Sequence, residues 1–468
     1  MLIIKNIMIA LIKFFVLKLD HSSTLYKFLR FFFRKIQAKI NKLIIYFYRV
    51  FNKTFYYTNL NSFEIDNIMY REPLIDDFYT GQFHFKKNPY TSNLSENIRR
   101  ALAKNDQDNL LNFLSLYKSK DKIKRKKLQK KRQIKIAVFC DYYCSSVFNQ
   151  TMAIYNKYNQ NLKHTLILIN DKYAPKKIKY IDVLNVKNMQ EALKLCDDKF
   201  DVVIDCNGPL RDKNFYSIIS KTKCFTINSE NFLAPTYDRN YDAMIISKDL
   251  KPGKFDTSEY LLKLNSFGSW EPIEIEKKFL TIDKNFHHRI DFCFIGDQFK
   301  LGKEFLNYFS LLSHNYKCVF VGLRNIIIFQ KNLKKYNWNT KNVFYTPFFN
   351  LGGLIYFLRN NVKLVVDTIP YSGGSSTLTC LNNGIPLFAK WGEYYVDGVS
   401  ASMLKEMNLN KLIYNNVDDL IKFNDKLTER KWKMLSDEVL IKSKKSNYFN
   451  PEKYLYELEV ELKKYFNL

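Results

Sequence analysis

Several features that would assign a chain quickly are missing from these 468 residues. No ligand set for a metal is evident. Of the eight cysteines, at 140, 144, 196, 206, 224, 293, 318 and 380, only Cys140 and Cys144 lie close together, and no second Cys or His pair completes a zinc-type group. Scattered cysteines inside apolar, strand-like runs read instead as reduced core residues of a cytosolic protein. Long apolar runs are also lacking. Met1 to Leu19 is apolar but broken by Lys5, Lys13 and Lys18, its unbroken stretches are too short for a membrane span, and no small-residue cleavage site follows. Negative charge is scarce, with 46 Asp and Glu against 74 Lys and Arg, a net charge of +28. The excess is uneven: Met1 to Arg132 holds 27 basic and 10 acidic residues, which concentrates +17 there and leaves +11 on the other 336 positions.

The length exceeds what one hydrophobic core supports and predicts two large domains with an extra segment. The expected division is a basic, mainly helical segment over 1–132, a first domain over 133–270 and a second over 271–468 that ends in a helix. In the first segment, Lys5, Asn6 and Lys13 fall within about 100° on a helical wheel and leave a broad apolar face. Thr24 to Tyr57 repeats the pattern, with Lys27, Arg30, Arg34, Lys35, Lys39, Lys42 and Arg49 among aromatic and aliphatic residues. Two readings stand for residues 1–60: a basic amphipathic pair on an anionic membrane surface, or helices packed on the rest of the protein. Lys118 to Arg132 is a lysine run with little apolar content and reads as a solvated linker or helix end. No nucleic-acid recognition motif accompanies the charge, so a specific nucleic-acid partner is not expected.

From Ile134 onward the pattern is apolar runs alternating with helical spacing. Strands are predicted at Ile134–Cys140, His164–Ile169 and Val202–Asp205, with a helix at Met189–Cys196 before the last of these. Further strands are predicted at Ile290–Ile295, Cys318–Leu323, Val343–Thr346 and Lys363–Val366. Such alternation predicts parallel, doubly wound α/β domains whose sites lie in loops at the strand C-termini. The most informative stretch is Asp367 to Leu409. There a strand ends in Asp367, Pro370 and the turn Ser372-Gly373-Gly374-Ser375-Ser376, followed by a helix over Leu378–Asn383 with Ser375, Ser376 or Thr377 as its cap, and by a second apolar run at Leu387–Ala389. Adjacent glycines let backbone amides approach a ligand, and a helix N-terminus adds free N–H groups and partial positive charge, which suits a diphosphate. An ordinary strand-to-helix turn is the alternative.

The order Asp-Thr-x-Pro-Tyr-x-Gly-Gly-Ser-Ser-Thr from Asp367, then Gly384-Ile385-Pro386, Gly392-Glu393 and Val399-Ser-Ala-Ser-Met-Leu404, resembles the nucleotide-sugar-binding half of the O-GlcNAc transferase and SPINDLY-type glycosyltransferases. Asp201 to Gly208, Ile227 to Ser247 and Ser258 to Leu264 follow the same family order in the first half. The resemblance implies a GT-B fold of two Rossmann-like domains facing a cleft. It further implies an inverting, metal-independent enzyme that moves GlcNAc or another hexose from a nucleoside diphosphate sugar, a UDP-sugar by analogy, to a protein or glycan acceptor. The only Asp-x-Asp, Asp106-Gln107-Asp108, lies in a helical pattern and not at a strand end, which argues against the metal-dependent alternative fold. No thirty-four-residue helical repeat precedes the α/β region.

By the same resemblance, Gln298, Lys300 and Arg324 hold the nucleotide and its phosphates, and Gly373, Gly374, Ser375, Ser376 and Thr379 form the diphosphate turn. Lys300 would stabilise the leaving diphosphate. Asp141, Ser145 and Asp205 face the acceptor, with either Asp the candidate for orienting it. The chain departs from the family where Ser145 and Asn149 stand at histidine positions and Thr379 at an Asp position. A serine is no near-neutral base unless another group activates it. Those losses support a second expectation, a noncatalytic GT-B scaffold or binding protein at the inner membrane surface. His164 is expected to be structural, and Glu393 either to serve the site or to cap a helix around Ser400–Met407.

Overall fold

The computed structural model describes Arg125 and the residues from Gln133 onward except 141–151, 170–178, 207–217, 230–234, 237–239, 267–289, 297–299, 323–335 and 347–350. The amphipathic segment 1–60 and Cys144 therefore lie outside the described residues.

In the first half the strands are β1 (Ile134–Phe139), β2 (Leu162–Ile169), β3 (Asp182–Val186), β4 (Val202–Asp205), β5 (Phe225–Asn228), β6 (Ala243–Ser247) and β7 (Tyr260–Leu264), with helix α1 (Met189–Lys199) between β3 and β4. They pair in parallel in the order β3-β2-β1-β4-β5-β6-β7. Every residue of β4, β5 and β6 is buried, as expected of parallel strands covered on both faces, which is why these strands read as apolar runs and not as alternating ones. β3 went unforeseen because its pattern, Asp-Val-Leu-Asn-Val, is mostly exposed at the sheet edge.

The second half holds β8 (Ile290–Ile295), α2 (Lys303–Ser313), β9 (Cys318–Val321), β10 (Val343–Thr346), α3 (Leu351–Asn361), β11 (Val362–Val366), α4 (Ser375–Asn382), β12 (Leu387–Lys390), α5 (Tyr395–Glu406), β13 (Ile413–Tyr414), α6 (Val417–Lys426), α7 (Glu429–Lys444) and α8 (Pro451–Phe466). Its parallel sheet runs β10-β9-β8-β11-β12-β13. Both sheets thus step outward in one direction through their first three strands and in the other from the fourth. The chain reverses direction between β1 and β4, and again between β8 and β11. The crevice above such a reversal, at the strand carboxyl ends, is where doubly wound sheets bind ligands.

α8 returns to the first half. Tyr454, Leu455, Leu458 and Leu462 are buried at helical spacing. Glu459 accepts hydrogen bonds from the side chains of Asn159 and Asn161, and Glu457 from Asn265 and Ser266. Phe225 meets the rings of Tyr465 and Phe466 at 4.6 and 4.9 Å. The last helix, although it follows the second sheet in sequence, is part of the first half's core.

The lysine run is not wholly solvated. Arg125 is nearly buried: its guanidinium lies 2.9 Å from Asp242 and donates to the carbonyls of Thr222 and Asn240 and to the Thr226 hydroxyl. A charge run shows no partner in sequence, because all four partners lie about a hundred positions away. The seven described cysteines are buried, as expected. His164 is buried against the Tyr155 ring at 5.2 Å, and burial pushes its imidazole down to about 3, which fits a structural role. No described helix is long and apolar enough to cross a membrane.

Candidate functional site

The second reversal point is bordered by the C-terminal ends of β8 and β11. The turn after β8 begins at Gly296, whose φ of +150° few side chains tolerate and where a Cβ would lie 3.2 Å from the Phe294 ring. This turn delivers Lys300. Its ammonium sits 4.7 Å from the centre of the Tyr371 ring and 3.5 Å from the Ser372 carbonyl oxygen, which places it over the turn after β11.

That second turn is built around Asp367, which is 7% exposed. Gly373 N lies 2.9 Å from both carboxylate oxygens of Asp367, and the Ser372 hydroxyl donates to Oδ2 at 2.8 Å. A Cβ on Gly373 would lie 2.6 Å from Asp367 Oδ1, 2.7 Å from Thr377 Oγ1 and 2.9 Å from Ser376 Oγ, so no larger residue fits. A Cβ on Gly374 would meet nothing within 4 Å. The two glycines therefore do different things: the first allows close packing beneath the turn, and the second leaves its outer side open.

α4 starts earlier than its sequence pattern predicts. Ser375, Ser376 and Thr377 form its first turn, and Gly374 is the cap, with no side chain bonded to the helix end. The first amides of α4 thus have no side-chain acceptor, and an uncapped helix end attracts anions. Ser375 and Ser376 are half-buried beside it, and Thr379 lies one turn further along. Lys300 is thereby brought against the turn that carries Gly373, Gly374, Ser375 and Ser376. Gln298 and Arg324 lie outside the described residues. So do Asp141 and Ser145, which follow β1 in the sequence. Asp205 ends β4 at the first reversal point but is only 2% exposed, and it accepts a hydrogen bond from the Tyr241 hydroxyl at 2.5 Å. Its carboxylate is set into the sheet. No group of three or more metal-ligating side chains occurs among the described residues.

Neither a protein-family profile nor a curated protein sequence matches the chain. Among solved structures, a mutant of the Thermobaculum terrenum O-GlcNAc transferase superposes with a TM-score of 0.64 at 14% identity, over 77% of this chain and 73% of that one. Anabaena HepE in complex with UDP-glucose gives 0.46 at 9% identity, over 72% and 100%. Sucrose-phosphate synthase from Thermosynechococcus elongatus gives 0.44 at 10%, also over 72% and 100%. With two parallel sheets of the same winding in one chain, the first of these likenesses decides the architecture. The fold is GT-B. At these identities the likeness is one of fold alone.

The two GT-B halves meet at α5. Lys251, just past β6, pairs in parallel with Tyr394, donating its amide to the Glu393 carbonyl and accepting from Tyr395 N. Glu393 neither caps a helix nor reaches the turn; it forms an exposed 2.7 Å ion pair with Lys251 across the halves, which raises the Lys251 ammonium through hydrogen bonding and charge. The helix starts at Tyr395, and Asp397 in its first turn accepts from Tyr394 N at 2.9 Å. Burial pushes the Asp397 carboxyl up to about 6, with the neighbouring Glu393 charge adding to it. Gly392 is explained by the same contact, since a Cβ there would lie 2.3 Å from Asp397 Oδ1.

A second cation lies at the end of β12. Lys390 is ion-paired with Glu304 near the start of α2, and Glu304 also accepts from the Tyr308 hydroxyl at 2.9 Å. Burial opposes the Lys390 charge, but the Glu304 hydrogen bond and charge outweigh it and raise the ammonium. Sequence reading did not foresee this pair, or the role of Asp367 beneath Gly373. The first joins residues 86 positions apart. The second lay inside the quoted motif, where a carboxylate next to a glycine turn signals such a grip only once the turn's conformation is known.

Proposed function

We propose that this chain is a glycosyltransferase that moves GlcNAc or another hexose from a nucleoside diphosphate sugar, a UDP-sugar by preference, to a protein or glycan acceptor, with inversion and without a metal. One observation carries the reading. The turns after the two strands that border the second sheet's reversal point bring Lys300 to 3.5 Å from the Ser372 carbonyl, in the glycine turn that leads to an uncapped helix. In the reaction the acceptor oxygen or nitrogen bonds to the anomeric carbon as the bond from that carbon to the diphosphate oxygen breaks. The acceptor gives up its proton, and the nucleoside diphosphate leaves with the added negative charge. Lys300 and the first amides of α4 stabilise that charge, in a crevice where fixed dipoles act more strongly than in water. Ser375 and Ser376 offer hydroxyls to the same group. Asp141, Ser145 and Asp205 are assigned to the acceptor side by the family resemblance, with Asp205, buried and accepting from the Tyr241 hydroxyl, a support there.

A second reading, a noncatalytic GT-B binding protein, is favoured by the burial of Asp205 and by Thr379 in place of an acidic residue. Residues 1–60 would hold either protein on the cytoplasmic face of an anionic membrane. Screening nucleoside diphosphate sugars for nucleotide release, with binding followed in parallel, separates the readings. Turnover supports the transferase, binding without transfer to any acceptor supports the scaffold, and neither binding nor turnover overturns both.

A further inference from the structure

We infer that Ser400 is a positioning residue of the donor turn: from α5 it holds Gly373 and Ser372 so that the first amides of α4 face the donor's diphosphate. The inference rests on the nucleotide-sugar reading of that turn. Ser400 is fully buried and more than twenty positions from the turn in sequence, yet its hydroxyl bonds to the turn and to α4. Its amide donates to Ser372 Oγ at 2.9 Å, and its hydroxyl donates to the Gly373 carbonyl at 3.0 Å. The Thr377 hydroxyl lies 2.7 Å from Ser400 Oγ. Because the Ser400 proton is used on Gly373, Thr377 must be the donor in that contact. Ser372 then gives its own proton to Asp367, whose carboxylate takes Gly373 N. Each hydroxyl proton of the network has one acceptor, so the arrangement is determined and Gly373 is held at both its N–H and its carbonyl.

The element carrying Ser400 is itself fixed. Val396, one turn earlier, accepts from Ser372 N at 2.8 Å, so Val396 and Ser400 share the face of α5 toward the turn. Gly398 and Ser402 are two residues further on, roughly 200° around the helix. A Cβ on Gly398 would lie 2.5 Å from Leu250 Cδ2, and Ser402 Oγ sits 3.0 Å from Ser247 Oγ and 3.2 Å from the Tyr448 hydroxyl. One face of α5 is thus clamped against the first half while the other grips the turn. A group on a rigid element, locked by surrounding hydrogen bonds, is how a binding geometry is held to a fraction of an ångström.

The test uses the full chain and titration calorimetry with UDP, GDP, dTDP and ADP. The diphosphate that binds the wild-type chain most tightly is then compared with its parent nucleoside on Ser400→Ala. The ratio of diphosphate to nucleoside affinity is expected to fall about tenfold, with the nucleoside changed less than about twofold. Thr377→Val, which keeps the side-chain shape and removes the proton donated to Ser400, is expected to lower the ratio about threefold. Thermal unfolding of both variants reports whether they remain folded. A buried serine with a purely structural role would lower the unfolding midpoint and leave the ratio unchanged, and that result overturns the inference while the donor site stands. A wild-type chain that binds none of the four diphosphates overturns the donor-site reading, and this inference with it.

Discussion

Replacing Gly373 and Gly374 separately by alanine divides the packing of the donor turn from its binding. At Gly373 the new methyl would meet three side-chain oxygens at 2.6, 2.7 and 2.9 Å, one of them on the Asp367 carboxylate that holds the turn. The Asp367 and Thr377 groups are fixed by bonds to Ser372 and Ser400, so relief there requires the network to shift. Overpacking of this kind costs about 1–3 kcal/mol. Gly373→Ala should lower the urea midpoint accordingly and weaken nucleotide binding at the same time. At Gly374 a Cβ has no neighbour within 4 Å, so stability should change by less than about 0.5 kcal/mol. The same methyl stands at the cap of an uncapped helix, where the diphosphate must approach, and should weaken nucleotide binding about tenfold. Equilibrium unfolding and calorimetric titration of both variants read the two effects. Wild-type stability of Gly373→Ala would refute the packing argument. Unaltered nucleotide affinity of Gly374→Ala would refute the placement of the diphosphate.

Three other outcomes are expected. Lys300→Ala should leave unfolding unchanged and weaken diphosphate binding by about 2 kcal/mol, roughly thirtyfold, as the loss of one charged hydrogen bond, measured by titration. Arg125→Ala should destabilise the first half by about 3–5 kcal/mol, because it leaves Asp242 buried without its cation, and the urea midpoint reports it. The His164 imidazole, pushed from 6.5 to about 3, contributes stability that is present above pH 6.5 and is lost as pH falls toward 3, because the unfolded chain takes up the proton first. The loss approaches about 3 kcal/mol near pH 4.5, so His164→Phe should flatten the pH dependence of the urea midpoint between pH 6.5 and 4.5 relative to wild type.

Most central strands of both sheets were legible because parallel strands covered on both faces are continuous apolar runs. β4 reads Val-Val-Ile-Asp and is wholly buried, and its span was predicted to the residue. β3 was illegible because an edge strand carries Asp, Leu and Asn in the open. The glycine turn was legible as a turn, but the start of α4 was misplaced by three residues: serines and threonine signal a cap, and here they form the first helical turn behind a glycine cap. Arg125 and Ser400 mark the limit of sequence reading. Each works through partners tens of residues away, and nothing in a lysine run or in Val-Ser-Ala-Ser announces them. Glu393 was noticed for its motif, but its partner, Lys251, lies across the two halves.

The central claim is that the crevice between Lys300 and the Gly373–Ser376 turn holds a nucleoside diphosphate. Calorimetric titration of the full chain with UDP and the other nucleoside diphosphates, beside Lys300→Ala, tests it most directly. One saturable site on the wild-type chain, weakened about thirtyfold in the variant, is the predicted result. No binding of any nucleoside diphosphate at millimolar concentration, or binding that Lys300→Ala leaves unchanged, would contradict it.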